Sequence, residues 1–233
     1  MWVVPWWVKG LSEIAGKEGE IKLPPQQKKL SERTLQYEEK LRRVWEEHKP
    51  ALLEGSVDAD TVVKRLAEVA EGDWFESVAD ILGVPVESLT MDQRNLIQDE
   101  LARNQDYLFD SLKPDLLRAL TEKKPLEPFD YRVSVLYAGA LWALGSLATV
   151  MFDGLSWRDL GDMFLFFGPL DERTCTGPRG CAQHVGKVYT VLQILTQDII
   201  PGHLQCLHNC RHFLIPIASM PEGSGDHGSA EAF

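Results

Sequence analysis

The sequence predicts an α+β fold, mainly α-helical over the N-terminal two-thirds, with a small antiparallel β-sheet carrying a Cys/His cluster near the C-terminus. Three observations predict it. As far as residue 152, apolar side chains recur at the spacing of helices. Beyond that point the apolar runs are short, aromatic and β-branched, and Gly and Pro separate them. All four cysteines fall between residues 175 and 210.

The predicted helices have recognisable end signals. They cover residues 28–54, 60–71 and 73–82, the last with Asp73 as its N-cap, and a segment that starts at Thr90. Gly55, Gly72 and Gly83 end the first three helices. Thr90 caps the fourth, and Pro114 kinks or restarts it.

Residues 133–152, VSVLYAGALWALGSLATVMF, contain no charged side chain and are long enough to cross a membrane. Gly, Ser and Thr interrupt the stretch, many of its apolar positions are only Ala, and Arg132 and Asp153 bracket it. The sequence therefore favours a buried central helix and no membrane partner. A single membrane span is the less favoured alternative.

Composition divides the chain into four regions. They are an extended aromatic arm at residues 1–27, a helical region at 28–128, a module of helix and small sheet at 129–217, and a flexible tail at 218–233. Trp2, Trp6 and Trp7 in the arm are costly to leave in water. They either fold back on their own domain or dock into a partner, and both alternatives stay open.

The charge balance bounds the function. A net charge of -11 argues against broad binding to nucleic-acid phosphates. The opening residues, MWVVPWWVKG, lack the basic start of a secretory signal. Four clustered cysteines in 233 residues are too few for a disulfide scaffold, so we expect a reducing compartment.

Cysteine and histidine side chains near the C-terminus have the composition of a metal site. The candidate ligands are Cys175, Cys181, His203, Cys206, His208, Cys210 and His212. Thiolate and imidazole ligands favour Zn²⁺ over Mg²⁺ or Ca²⁺, and four protein ligands would make the site closed and structural. A disulfide such as Cys175–Cys181 and buried thiols with hydrogen-bonded histidines remain alternatives.

A catalytic reading has less support. Asp171, Glu172 and Asp198 lie near the cluster in sequence, but HExxH, GxSxG and a Gly-rich phosphate loop are all absent from the sequence. We therefore predict that the protein is not an enzyme, with a zinc-dependent hydrolase as the alternative.

The order of short motifs resembles the C-terminal module of the minor head (head-morphogenesis) proteins of Mu-like tailed bacteriophages. The motifs are GPLDERTC, a second Cys, HVGKVYTV and IIPGHLQCLHNCRHFLIPI, and the resemblance covers residues 129–217. The matching residues are Asp171, Arg173, Thr174, Cys175, Cys181, Gly186, Tyr189, Pro201, His203 or His208, Cys210 and Arg211.

The chain departs from the family's pattern at two points. Five residues separate Cys175 from Cys181 where the family commonly has two, and His212 stands where the family has the second Cys of Cys-Arg-Cys. A histidine there retains metal-ligand chemistry but excludes a disulfide. The resemblance implies a zinc site formed by Cys175, Cys181, Cys210 and one of His203, Cys206, His208 or His212.

The resemblance also implies a function. We expect a structural minor capsid protein of a tailed phage, present in the virion and, during assembly, in the host cytoplasm. Its expected partners are the portal and/or major capsid proteins, with the three tryptophans as a possible docking element. Asp171 and Arg173 would fix the turn that presents Cys175. A zinc-dependent hydrolase or nuclease in phage DNA processing is the alternative.

Overall fold

The chain folds into a helical bundle with two small antiparallel sheets. This computed structural model describes residues 25–168, 170, 172, 174–205 and 212–217, with only the backbone at Val135 and Leu136. Its helices are α1 Pro25–Glu54, α2 Ala59–Leu82, α3 Met91–Tyr107, α4 Lys113–Thr121, α5 Glu127–Tyr131, α6 Tyr137–Met151 and α7 Val191–Gln197. Its strands are β1 Phe152–Asp153, β2 Ser156–Trp157, β3 Met163–Phe167, β4 Val188–Thr190 and β5 Phe213–Pro216. The predicted aromatic arm and the tail lie outside the described residues, except for the arm's last three positions, which begin α1.

Helices α1, α2 and α6 form the centre of the bundle. The apolar side chains of α1 recur every three or four residues on one face, and Leu41 and Trp45 are buried there. Gly145 of α6 allows α1 to approach closely, because a Cβ at this position would overlap the Leu30 side chain. Trp74 of α2 packs edge-on against Tyr37 of α1, with 5.9 Å between ring centroids.

Helix α2 corrects one prediction. The break predicted at Gly72 is wrong, because α2 runs unbroken from Ala59 to Leu82. Asp73 is therefore not an N-cap; it lies in the helix interior, is 3 % exposed and binds Lys40. Burial of Ala70 and Trp74 on either side of Gly72 keeps the chain helical. The C-terminal end predicted at Gly83 is confirmed, with φ of 74°.

The predicted signals around α3 and α4 are confirmed. Thr90 caps α3 in a reciprocal capping box with Gln93. A π-helical turn, Leu108–Leu112, follows α3, and Pro114 lies in the first turn of α4. The backbone stays helical from α3 through this turn into α4, so the predicted restart at Pro114 is not a break; the proline is the second residue after the π-helical turn.

The uncharged stretch forms the central helix, as predicted. Helix α5, a second π-helical turn at Arg132–Leu136 and α6 form one continuous helical stretch, Glu127–Met151. This stretch is long and apolar enough to cross a membrane, but 94% of its most apolar window is buried in the fold. That is the environment of a core helix.

Strand β3 is the centre of the larger sheet, whose order is β4-β3-β5 with both pairs antiparallel. One of the short β-branched and aromatic runs that predict strands is KVYTVLQI, residues 187–194, and for this run the prediction is only partly right. The strand is limited to Val188–Thr190, because Thr190 then caps α7 in a capping box with Gln193. The β1–β2 hairpin was not predicted; its strands have two residues each.

The larger sheet packs against the bundle through α6. Leu147 and Val150 share an apolar cluster with Phe164, Phe166 and other side chains of the sheet region. Two hydrogen bonds attach β5 to the helices. Gln27 Nε2 donates to the Leu214 carbonyl at 3.0 Å, and Trp142 Nε1 donates to the His212 carbonyl at 3.0 Å.

Candidate functional site

Cys175 and Cys181 lie at the two ends of one tight turn. The Cys181 backbone N–H donates to Cys175 Sγ at 3.0 Å, and the Ala182 N–H donates to the Cys175 carbonyl at 3.1 Å. The two sulfurs are not joined by a disulfide, and Cys181 is fully buried. The backbone of the turn therefore holds the two cysteines beside each other.

The loop after α7 is attached to this turn. The Gln205 backbone N–H donates to the Arg179 carbonyl at 2.9 Å, and the Gln205 side chain lies against Gly177, where a Cβ would not fit. Arg179 in turn donates to Asp198 Oδ2 at 2.8 Å. The described part of the second Cys/His segment therefore ends beside the first cysteine turn.

Strands β3 and β5 connect to the two Cys/His segments at the same end of the larger sheet. Phe167, the last residue of β3, is the register partner of Phe213, the first residue of β5. The chain therefore leaves β3 towards Cys175 and enters β5 from His212 at the same end of the sheet. His212 is 2 % exposed, and its ring stacks on Phe166 with 5.5 Å between centroids.

Further residues of the motif lie in the described part of the chain, where their surroundings can be stated. Thr174 is buried, and Gly186 has a φ of 79°, which favours glycine. Tyr189 Oη lies 2.9 Å from His184 Nδ1. Burial raises the pKa of Tyr189; burial, followed by the charge of Lys187, lowers the pKa of His184.

Several predicted site residues lie outside the described residues: Asp171, Arg173, Cys206, His208, Cys210 and Arg211. Within the described ranges, no group of three or more His, Cys, Asp or Glu side chains could hold a metal ion. The structure thus brings Cys175 and Cys181 together, and zinc stays a prediction.

His203 belongs to a different cluster. Its Nδ1 lies 2.9 Å from Asp198 Oδ1, and its Nε2 lies 3.8 Å from Glu100 Oε1 on α3. Arg103 Nη1 lies 3.2 Å from Nε2 and 2.9 Å from Glu100 Oε1. Burial alone would lower the pKa of His203, but the hydrogen bonds and charges of both carboxylates outweigh burial and raise it.

This cluster forms one wall of a cleft of about 760 Å³ between α3, α6 and the loop after α7. Gly202 brings the loop close to α6, because a Cβ here would overlap Ala143, and its φ is 97°. The polar wall is formed by Glu100, Arg103, Asn104, Asp198 and His203, and the facing wall is apolar.

No sequence motif marks Glu100, Arg103 or Asn104 as site residues. Glu100 and Asn104 are four residues apart, so they share one face of α3. Their spacing was a signal, but polar residues on a helix face normally indicate solvent. Only the contact with the loop at His203 makes that face an interior wall.

No known protein family, curated protein or solved structure matches this chain. The likeness to minor head proteins therefore rests on the motif residues themselves.

Proposed function

We propose that the protein is a structural minor capsid protein of a tailed phage that acts in head morphogenesis at the portal vertex. One structural observation supports the proposal in addition to the order of the sequence motifs. The hydrogen bond from Gln205 to Arg179 fastens the loop of the second Cys/His segment to the turn of the first. The described part of the second half of the motif thus contacts the first half, although the two are remote in sequence.

The cysteine turn supports a structural metal in this unit. Cys175 and Cys181 supply two thiolates, and we propose that Cys210 and one of His203, Cys206, His208 or His212 complete a closed Zn²⁺ site. His203 is the least suited of these candidates, because Asp198 and Glu100 flank its ring nitrogens. A closed site stabilises the module without activating water.

Metal analysis tests the zinc site. We expect about one zinc per chain after purification under reducing conditions. The Cys175→Ser and Cys181→Ser variants should lose the metal, and a chelator should weaken the module without unfolding the helices. Ser56→Cys is the control, because it adds a thiol at an exposed position outside the turn and should leave the zinc content unchanged. Zinc-free wild-type protein contradicts the site, and zinc-dependent hydrolysis of DNA contradicts its structural role.

Co-purification tests the partner. The full chain, co-expressed with the portal protein and with the major capsid protein of the same genome, should be captured by at least one of them. The triple variant Trp2→Ala, Trp6→Ala and Trp7→Ala should reduce this capture. Trp157→Ala is the control, because Trp157 is 55% exposed on the hairpin. Capture by neither protein contradicts the proposal.

A further inference from the structure

Asn104 is the unusual residue of the cleft between α3, α6 and the loop after α7. It is 3% exposed, it lines the cleft, and neither Oδ1 nor Nδ2 has a hydrogen-bond partner within the described residues. Buried amides in folded proteins are normally hydrogen-bonded. Within the described chain, the donor and the acceptor of Asn104 thus both lack a hydrogen-bond partner and are available to a ligand.

Unlike Asn104, the charged residues Glu100, Asp198 and His203 beside it each have a partner. Glu100 is paired with Arg103 at 2.9 Å, and Asp198 is paired with Arg179 at 2.8 Å. His203 lies 2.9 Å from Asp198. Asp99 also lines the cleft, but it is exposed. Because Glu100, Asp198 and His203 have partners, the buried part of the wall offers the neutral donor and the neutral acceptor of Asn104.

The opposite wall is an apolar stripe on α6. Ala140, Ala143, Leu147 and Met151 are three or four residues apart and line the cleft together. The side chain at the first position, Ala140, is small, and Ala143 is in close contact with Gly202 of the loop. A volume of about 760 Å³ falls within the range of small-ligand sites.

We propose that this cleft binds an apolar ligand that carries an amide group. The ligand's C=O accepts from Asn104 Nδ2, its N–H donates to Asn104 Oδ1, and its apolar body lies against the α6 stripe. A peptide unit with apolar side chains and a small carboxamide share this chemistry. The site is independent of the cysteine turn and of the proposed virion role.

Ligand-detected NMR on the full chain tests the chemistry. The probes are 4-phenylbutanamide and methyl 4-phenylbutanoate, which have the same apolar body but differ in the N–H donor. We expect the amide to bind about tenfold more tightly than the ester. Asn104→Leu should remove this preference, because it deletes both amide atoms at similar size.

Asn95→Leu is the matched control, since Asn95 is an exposed asparagine on the same helix. It should keep the preference for the amide. Ala140→Leu should weaken the binding of both probes by filling the apolar side, while thermal unfolding reports whether each variant is folded. Equal binding of the two probes to wild type, or equal effects of Asn104→Leu and Asn95→Leu, overturns the proposal.

A second probe pair distinguishes the source of the amide. N-acetyl-leucine methylamide has an internal peptide unit, and 4-methylpentanamide has a primary carboxamide on a similar apolar body. Tighter binding of the first assigns a peptide ligand, and tighter binding of the second assigns a small carboxamide. If neither binds at millimolar concentration, the assignment of an amide is wrong.

Discussion

The helical bundle, α1 to α6, and the sheet module, by which we mean here the part of residues 129–217 that follows α6, are stabilised in different ways. The bundle buries large side chains such as Trp45, Trp74 and Tyr37 in one apolar cluster formed by long helices. The module has strands of five, three and four residues and a smaller cluster that includes Leu147 and Val150 of α6. Short three-stranded sheets need such packing for stability. The bundle therefore depends on burial, whereas the module depends on close contacts, turns and, in our proposal, a metal.

Replacing a core tryptophan of the bundle should have the largest effect. Trp74 is fully buried against Tyr37, so Trp74→Ala should lower the free energy of unfolding by about 3–5 kcal/mol. Trp157→Ala removes the same side chain from an exposed position and should lower it by about 1 kcal/mol. Denaturant unfolding measures both. Similar losses would show that the bundle does not depend on burial at Trp74.

Adding one methyl group at the contact between module and bundle should have the next largest effect. Gly202→Ala introduces strain at a φ of 97° and an overlap with Ala143, so we expect a loss of about 1–3 kcal/mol. Gly186→Ala has a similar φ of 79° but nothing within 4 Å. Gly186→Ala therefore measures backbone strain alone, and it should lower the free energy of unfolding by about 1–2 kcal/mol. Hydrogen exchange should show that Gly202→Ala loosens the loop at α6 first; a loss no larger than that of Gly186→Ala contradicts the close contact.

The pH dependence of stability tests the link between α3 and the loop. The pKa of His203 is raised in the folded protein, so its contribution is fully present below the unfolded pKa and is lost as pH rises through the folded pKa. Wild type should therefore lose more stability than His203→Gln from mildly acidic to alkaline pH. His48→Gln is the control, since His48 Nδ1 contacts only the Val44 carbonyl of its own helix within hydrogen-bond distance in the described residues. Parallel pH profiles for wild type and His203→Gln contradict the link.

The smallest effect should be a gain within the bundle. Gly72 lies inside α2, and a Cβ added there meets no atom within 4 Å. Gly72→Ala should raise the free energy of unfolding by about 0.5–1 kcal/mol, because alanine loses less backbone entropy in a helix. Gly83→Ala, at a φ of 74°, should lower it instead. Thermal unfolding of both variants checks the opposite signs.

Local signals made part of the fold predictable. Gly83 and Thr90 act through their own backbone and side-chain geometry, so the ends that they mark could be identified from the sequence. Gly72 could not, because the burial of Trp74 decides that the helix continues. At residues 187–194, β-branched residues favoured a strand, while the capping box of Thr190 and Gln193 made the second part a helix.

The two candidate sites also differ in how far the sequence predicts them. Cys175 and Cys181 are close in sequence, and the residues between them, TGPRG, have the glycines and proline that are typical of a turn. The structure contains such a turn. Asn104 and His203 are 99 positions apart, so only the packing of the loop against α3 and α6 brings them to one cleft. Spacing in the sequence carries no information on such a contact.

The composition of purified particles tests the central claim most directly. We proposed that the chain is part of a tailed-phage head, so mature heads encoded by the same genome should be purified away from free protein and analysed by quantitative mass spectrometry. Our account predicts a few copies of the chain per particle, at constant stoichiometry to the portal protein. Particles that contain the portal and major capsid proteins but lack this chain would contradict a structural role in the virion.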